Sequence, residues 1–179
     1  HGFINGAGQK GEIIGLETHP DISEVNIGAL IDGKNINKFK QKLRKNYVPV
    51  MPNVKWLFNE DHEYALQNVQ ETDEGFYFRK GLDDGKLKGH EYLISQNIAT
   101  RSGTGSPSSV FMGDWAEYWV VREGQMEVQA SDIAPYETAT GVKSAFSRHQ
   151  IVMKMVDFLD MGPRDGRAIV RCRDARTTS

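Results

Sequence analysis

The residues that could do chemistry in this chain are few and scattered. Gly6, Gly8 and Gly11 stand at the G-x-G-x-x-G spacing that cradles a dinucleotide pyrophosphate. That spacing works only when a strand leads into it and a helix opens at its last glycine. Five residues precede Gly6, and Gly15 and Pro20 leave no room for a long helix behind it. Asp32, at a tolerable distance for a ribose contact, lies in an Asp-Gly turn. A structural loop is the favoured reading of Gly6–Gly11, with a nucleotide site as the alternative. His19, His62, His90 and His149 show neither i, i+4 pairing nor a nearby cysteine, so no metal spacing exists. His62, on a helical first turn between acids, is expected to be exposed or capping. Asp83-Asp84 falls in a turn, where acid–base catalysis has no pocket to serve. The expectation is a non-enzyme with no catalytic, cofactor-binding or metal residues.

The basic run in this chain reads first as a solvated helix face. Lys38, Lys40, Lys42, Arg44 and Lys45 follow one another with no acid between them. Three uses fit such a face: solvation, an acidic neighbour, or phosphates, each of which would add a salt-dependent increment. Lys+Arg is 22 against Asp+Glu 24, a formal charge of −2, so the molecule as a whole would not draw in nucleic acid or anionic membrane. The chain is 39% hydrophobic and 26% charged, as globular proteins are. Its one cysteine, Cys172, excludes an internal disulfide and fits a reducing compartment. No apolar run approaches membrane-spanning length. The start lacks a methionine and a signal-peptide pattern, so residue 1 is read as a cut inside a longer protein.

The elements that must position these residues follow from periodicity. Residues 1–33 read as loop with one short strand. Ile36, Phe39, Leu43 and Tyr47 recur at helical spacing from Asn35, until Pro49 and Pro52 end the helix. Val54 to Phe58 is a short apolar strand. Asn59 then caps a helix running to about Val69, with Glu60 and Asp61 where the helix dipole favours negative charge. Phe76 to Phe78 and Tyr92 to Ile94 are strands, divided by an Asp83-Asp84-Gly85 turn. The Gly- and Ser-rich segment 101–109 is a flexible surface loop, and Val110 to Met112 a buried strand. A short aromatic helix is expected over 115–121, burying Trp115, Tyr118 and Trp119. A strand over 126–130, a loop over 134–142, a long strand from Phe146 to Leu159 and a last strand from Ala168 to Cys172 complete the chain. Strands and helices mixed without regular βα alternation indicate α+β.

Several phrases, in this order, resemble the major capsid proteins of tailed bacteriophages. They are Phe3-Ile4-Asn5-Gly6-Ala7-Gly8 with Ile14-Gly15-Leu16, Trp56-Leu57-Phe58-Asn59, Asp73-Glu74-Gly75-Phe76-Tyr77, Leu87-Lys88-Gly89 before Tyr92-Leu93-Ile94, and Phe111-Met112-Gly113-Asp114-Trp115. The resemblance covers nearly the whole chain and matches the C-terminal portion of a subunit. It implies an α+β tailed-phage major-capsid fold, an axial lobe plus part of the peripheral lobe, with mixed and antiparallel sheets and flanking helices. On that basis residues 1–16 and 141–179 are assigned to the peripheral lobe and 17–140 to the axial lobe.

The implied function is a structural shell subunit of a phage or prophage icosahedral capsid, self-assembling into pentamers and hexamers that enclose DNA. The nearest alternative is an encapsulin-like nanocompartment shell. The implied partners are other copies of itself in capsomers, with scaffold, protease and portal proteins as further candidates. DNA would be enclosed without sequence-specific binding, and no membrane or cofactor is involved. The implied location is the virion capsid, with assembly in the host bacterial cytoplasm. Subunit-contact candidates are Lys42, Arg44, Lys45, Gly103 and Ser106. Some members weld their shells with a Lys–Asn bond assisted by a Glu. Those Asn and Glu positions fall near His149 and Val156 here, so no cross-link is expected.

Overall fold

The computed structural model describes residues 2–9, 12–46, 53–72, 75–76, 78–131, 135–139, 141–144 and 151–178. They fall into two compact units, residues 1–119 with 161–179, and residues 120–160. The first opens with a helical turn, α1 (Gly2–Asn5), a short strand, β1 (Ser23–Glu24), and the helix α2 (Asn35–Lys45). Strand β2 (Val54–Phe58), helix α3 (Glu60–Gln67), strands β3 (Gln70–Thr72) and β4 (Gly75–Phe76), helix α4 (Arg79–Asp83) and strands β5 (Lys86–Leu87) and β6 (His90–Ile94) follow. Strand β7 (Pro107–Asp114) leads through a 3-10 turn, Trp115–Glu117, into the long strand β8 (Tyr118–Ser131). The hairpin β9 (Pro135–Thr138) and β10 (Gly141–Ser144), the long strand β11 (Val152–Pro163) and β12 (Ile169–Arg176) end the order.

The first unit is a six-stranded mixed sheet ordered β1-β12-β7-β2-β6-β5. Antiparallel β7 holds β12 on one side and β2 on the other, with Phe111 opposite both Arg171 and Leu57. Period-two alternation sends side chains to opposite faces. Trp56, Phe58, Val110, Met112, Val170 and Cys172 bury into one cluster with Ile36, Phe39 and Leu43 of α2 and Leu66 of α3. Leu57, Phe111 and Ile169 go to the other face, against Ile4, Leu16, Ile22 and Ile98. Full burial of each such side chain contributes about 1.5–3 kcal/mol, so both faces need cover. The Trp56 indole donates to Leu87 O at 3.1 Å, and Phe39 meets its ring edge-on at 5.1 Å.

Helix α2 starts where Asp32 Oδ1 accepts from Asn35 N at 2.6 Å, and it stops at Lys45, ahead of the prolines expected to end it; Tyr47, Pro49 and Pro52 lie outside the described residues. In α3, the Asn59 side chain accepts from His62 N at 3.1 Å, the expected cap, and the helix ends at Gln67, two residues short of Val69. Arg171 is buried in β12, and its Nη1 donates to the carbonyls of Leu16, Glu17 and His19, each at 3.0 Å. That single guanidinium anchors the N-terminal loop to the sheet.

Several sequence expectations are corrected by the structure. The loop placed at 101–109 ends at Ser106, because β7 pairs with β12 as far as Pro107 opposite Arg176, which buries Ser108 and Ser109 as strand residues. The aromatic helix placed at 115–121 is one 3-10 turn, after which Val120 and Val121 continue as β8, as β-branched residues favour. Trp115 and Tyr118 still pack on Phe3, while Trp119 stays half exposed under the Arg164 guanidinium. Residues 134–142, placed as loop, contain β9 and the start of β10, whose register pairs Gly141 with Thr138. Gly2–Asn5, placed as loop, is a turn of helix whose Ile4 enters the core.

In the second unit, β8 and β11 form a two-stranded sheet, tied by a bidentate pair from Arg122 to Asp157, and β9 and β10 form a second. The long strand expected over 146–159 is β11; residues 145–150 lie outside those described.

Candidate assembly surfaces

Burying Ile36, Phe39 and Leu43 turns the basic residues of α2 outward. Lys38, Arg44 and Lys45 are exposed and Lys42 half-buried. Among the described residues none of the four lies within an ion-pair distance of a carboxylate. Lys40 turns back to donate from Nζ to Lys88 O at 2.8 Å. Partial burial, with Lys88 and Arg44 nearby, lowers its pKa. After Lys45 the Asn46 amide donates to Ser23 Oγ and to Arg167 O, both at 2.9 Å. The basic last turn therefore sits where β12 begins and β7 ends, since Ile169 pairs with Gly113.

Gly103 and Ser106, the other two contact candidates, lie at the opposite end of the same sheet. The loop carrying them enters β7 at Pro107. Its backbone reaches φ values of 148° at Gly103, 75° at Gly105 and 43° at Ser106, a region that glycine tolerates and serine does not favour. Thr177 N and Thr178 N donate to Gly105 O, Thr177 Oγ1 donates to Ser106 O, and Arg101 N donates to Pro107 O. The loop is tethered to the C-terminal residues, which explains how it holds these angles. The structure thus splits the five sequence candidates into two groups, three at one end of β7 and two at the other.

Beside the second group stands the first turn of α3. Glu60 and Asp61 are exposed, accepting from Gln96 Nε2 and Thr100 Oγ1, and Glu63 accepts from the Tyr92 hydroxyl. No cation pairs with them among the described residues. His62, expected to be exposed or capping, is instead buried, 1% exposed, with Nε2 3.4 Å from Ser108 O. Only its backbone serves the cap; its ring faces β7 because α3 packs that side on the sheet. Desolvation pushes its pKa down to about 4, against the smaller upward pulls of Ser108 O and Asp61.

The described part of the glycine loop does not fit the nucleotide reading. A turn of helix, α1, precedes Gly6 where a strand is required, and Ala7 bridges to Ile14. A Cβ at Gly6 would stand 1.9 Å from Ile13 O, and one at Gly15 would stand 2.4 Å from Ile4 O. These glycines exist to let two backbone segments touch, which leaves no cradle for a phosphate; Lys10 and Gly11 lie outside the described residues. Cys172 is no nucleophile: it is buried, its thiol donates to Asp174 at 3.0 Å, and its pKa is pushed up to about 12. Among the described residues no three His, Cys, Asp or Glu side chains are placed to hold a metal.

The second unit carries a run of exposed apolar side chains among its described residues. Ile151, just before β11, and Met153, Met155 and Phe158 on it are between 64% and 73% exposed, and Val120, Val121 and Val128 on β8 are similarly open. A two-stranded ribbon is marginal alone in water, and contiguous exposed apolar patches mark interaction surfaces. The sequence signal was apolar residues at both parities of one strand, which calls for cover on both faces.

Residues 1–173 match the sequence model of the phage capsid family. The chain belongs to that family. Solved structures agree in fold. The capsid of a native GTA particle superposes with a TM-score of 0.67 at 15% identity, over 97% of this chain and 59% of that one. A Gordonia phage Cozz chain gives 0.58 at 15% identity, over 96% and 55%. The holo-SrpI encapsulin complex from Synechococcus elongatus PCC 7942 gives 0.54 at 10%, over 93% and 58%. The chain thus spans a little over half the length of the shell proteins it matches. No curated protein matches it. Membership of the phage capsid family bears out the α+β capsid fold expected from the ordered motifs, and implies a structural role.

Proposed function

We propose that this chain forms the axial lobe and part of the peripheral lobe of a shell subunit, in a phage or prophage icosahedral capsid that encloses DNA. The carrying observation is the family match across residues 1–173. The work of such a subunit is ring closure: a heterologous contact repeated around an axis yields pentamers and hexamers. Each contact can be weak, because neighbours already held in place raise one another's effective concentration. Surfaces here suit that role better than catalysis: among the described residues they present a basic face and acids without an ion-pair partner, and an exposed apolar ribbon.

The axial lobe is assigned to the sheet unit, 1–119 with 161–179, and the peripheral contribution to 120–160. This moves the boundaries expected at 16/17 and 140/141. Ile4 and Leu16 pack with Phe111 and Ile169, and β12 lies between β1 and β7, so both chain ends share the sheet's core. The role is non-enzymatic, the location the virion shell, and assembly occurs in the host cytoplasm.

The fold likeness to the Synechococcus encapsulin supports a second reading, a nanocompartment around protein cargo. Expression of the intact gene product, followed by nuclease treatment and analysis of particle contents, separates the two. Protected DNA is expected for the capsid. Packaged enzyme would favour the nanocompartment, and the absence of any closed particle would refute both.

A further inference from the structure

We propose that the basic last turn of α2 in one copy docks on the acidic first turn of α3 in the next, forming the head-to-tail contact of a ring. This rests on the shell reading above and names the surfaces that carry it. Lys42, Arg44 and Lys45 are fixed by Asn46 beside Arg167 and Ser23, where β7 ends. Glu60 and Asp61 are fixed at the end where β7 begins: Asn59 binds Thr100 and the Ile98 carbonyl, and His62 abuts Ser108. Strand β7 is eight residues long. At a rise of about 3.3 Å per residue the two charged turns are separated along the sheet by roughly 23 Å.

Opposite charges at opposite ends of one rigid layer cannot neutralise each other within a subunit. Beyond a Debye length of about 10 Å their mutual attraction is largely screened. They are complementary to the other end of an identical copy, and one such contact repeated from copy to copy in the same sense is heterologous and head to tail. The other charges near these ends are mostly engaged: Arg167 with Asp165, Arg173 with Glu24, and Arg101 with Glu17. Arg176 lies against Gly105 at the acidic end and offsets part of that charge. The tethered loop with Gly103 and Ser106 lies at the acidic end too, so it would flank the contact from the acidic side.

The test is charge exchange in the intact gene product, reading particle yield and the critical concentration for assembly. K42E/R44E/K45E should raise that concentration at least about tenfold, and E60K/D61K should do the same. The neutral pair E60Q/D61N, which keeps the acceptors for Gln96 and Thr100, should weaken assembly without burdening the helix terminus. The decisive variant combines both reversals and should return within about threefold of wild type. Raising salt from about 0.1 M to about 1 M should weaken wild-type assembly and spare neither end. Wild-type shells whose assembly ignores the reversals, or a combined variant no better than either half, would overturn this contact while leaving the shell reading intact. A wild-type product that forms no shell would remove both.

Discussion

One buried side chain should make a separable contribution to the loosening of this fold by acid. His62 lies in the core with its pKa pushed from the ordinary 6.5 down to about 4, chiefly by desolvation. The folded state therefore resists a proton that the unfolded chain accepts. Above pH 6.5 the ring is neutral in both states and has no pH effect. As pH falls below 6.5 the unfolded chain binds the proton first, and stability is lost by up to about 1.4 kcal/mol per pH unit. By pH 5 the accumulated loss is about 2 kcal/mol, and it saturates near 3 kcal/mol below about pH 4. The perturbation is acidification of the wild type and of His62→Gln, whose amide can still donate to Ser108 O but cannot titrate. The assay is urea unfolding at pH 7.5 and pH 5. His90, also lowered by burial and by Lys40, titrates in both proteins and cancels from the difference. His62→Gln should lose about 2 kcal/mol less than wild type between the two pH values. Equal losses would refute the buried, neutral assignment.

Two other side-chain sites make sharp demands. Arg171→Met removes the one donor to three loop carbonyls and should cost about 3 kcal/mol in urea unfolding, with rapid proteolytic cleavage near residues 16–19; a wild-type midpoint would refute that anchor. Gly15→Ala forces a Cβ to 2.4 Å from Ile4 O and should destabilise by at least about 2 kcal/mol, whereas Gly2→Ala, with nothing within 4 Å, should be near neutral. Equal effects of the two alanines on the melting temperature would contradict the backbone contact.

Where local pattern and tertiary demand agreed, the sequence was readable. Ile36, Phe39 and Leu43 announce α2, Asn59 announces the cap of α3, and Val110 to Met112 announce the core strand, because each signal is complete within a turn or a strand. Ser108, Ser109 and residues 118–121 were misread for the opposite reason. Their state is decided by partners far away in sequence: β12 for the serines, and for the aromatics a chain that continues as β8. His62 was misread because flanking acids suggest solvent, while the turn of α3 directs its ring to β7. The basic half of the proposed contact is legible as a run of like charges. Its acidic counterpart is not, since only the sheet register places Glu60 and Asp61 at the far end from Lys45.

The most direct test of the central claim, that this fold works by tiling, is a cryo-EM reconstruction of particles made by the intact gene product. A closed icosahedral shell is expected, with the six-stranded unit repeated around five-fold and six-fold axes. A product that remains a lone subunit under assembly conditions, or a shell in which this unit forms no ring, would contradict it.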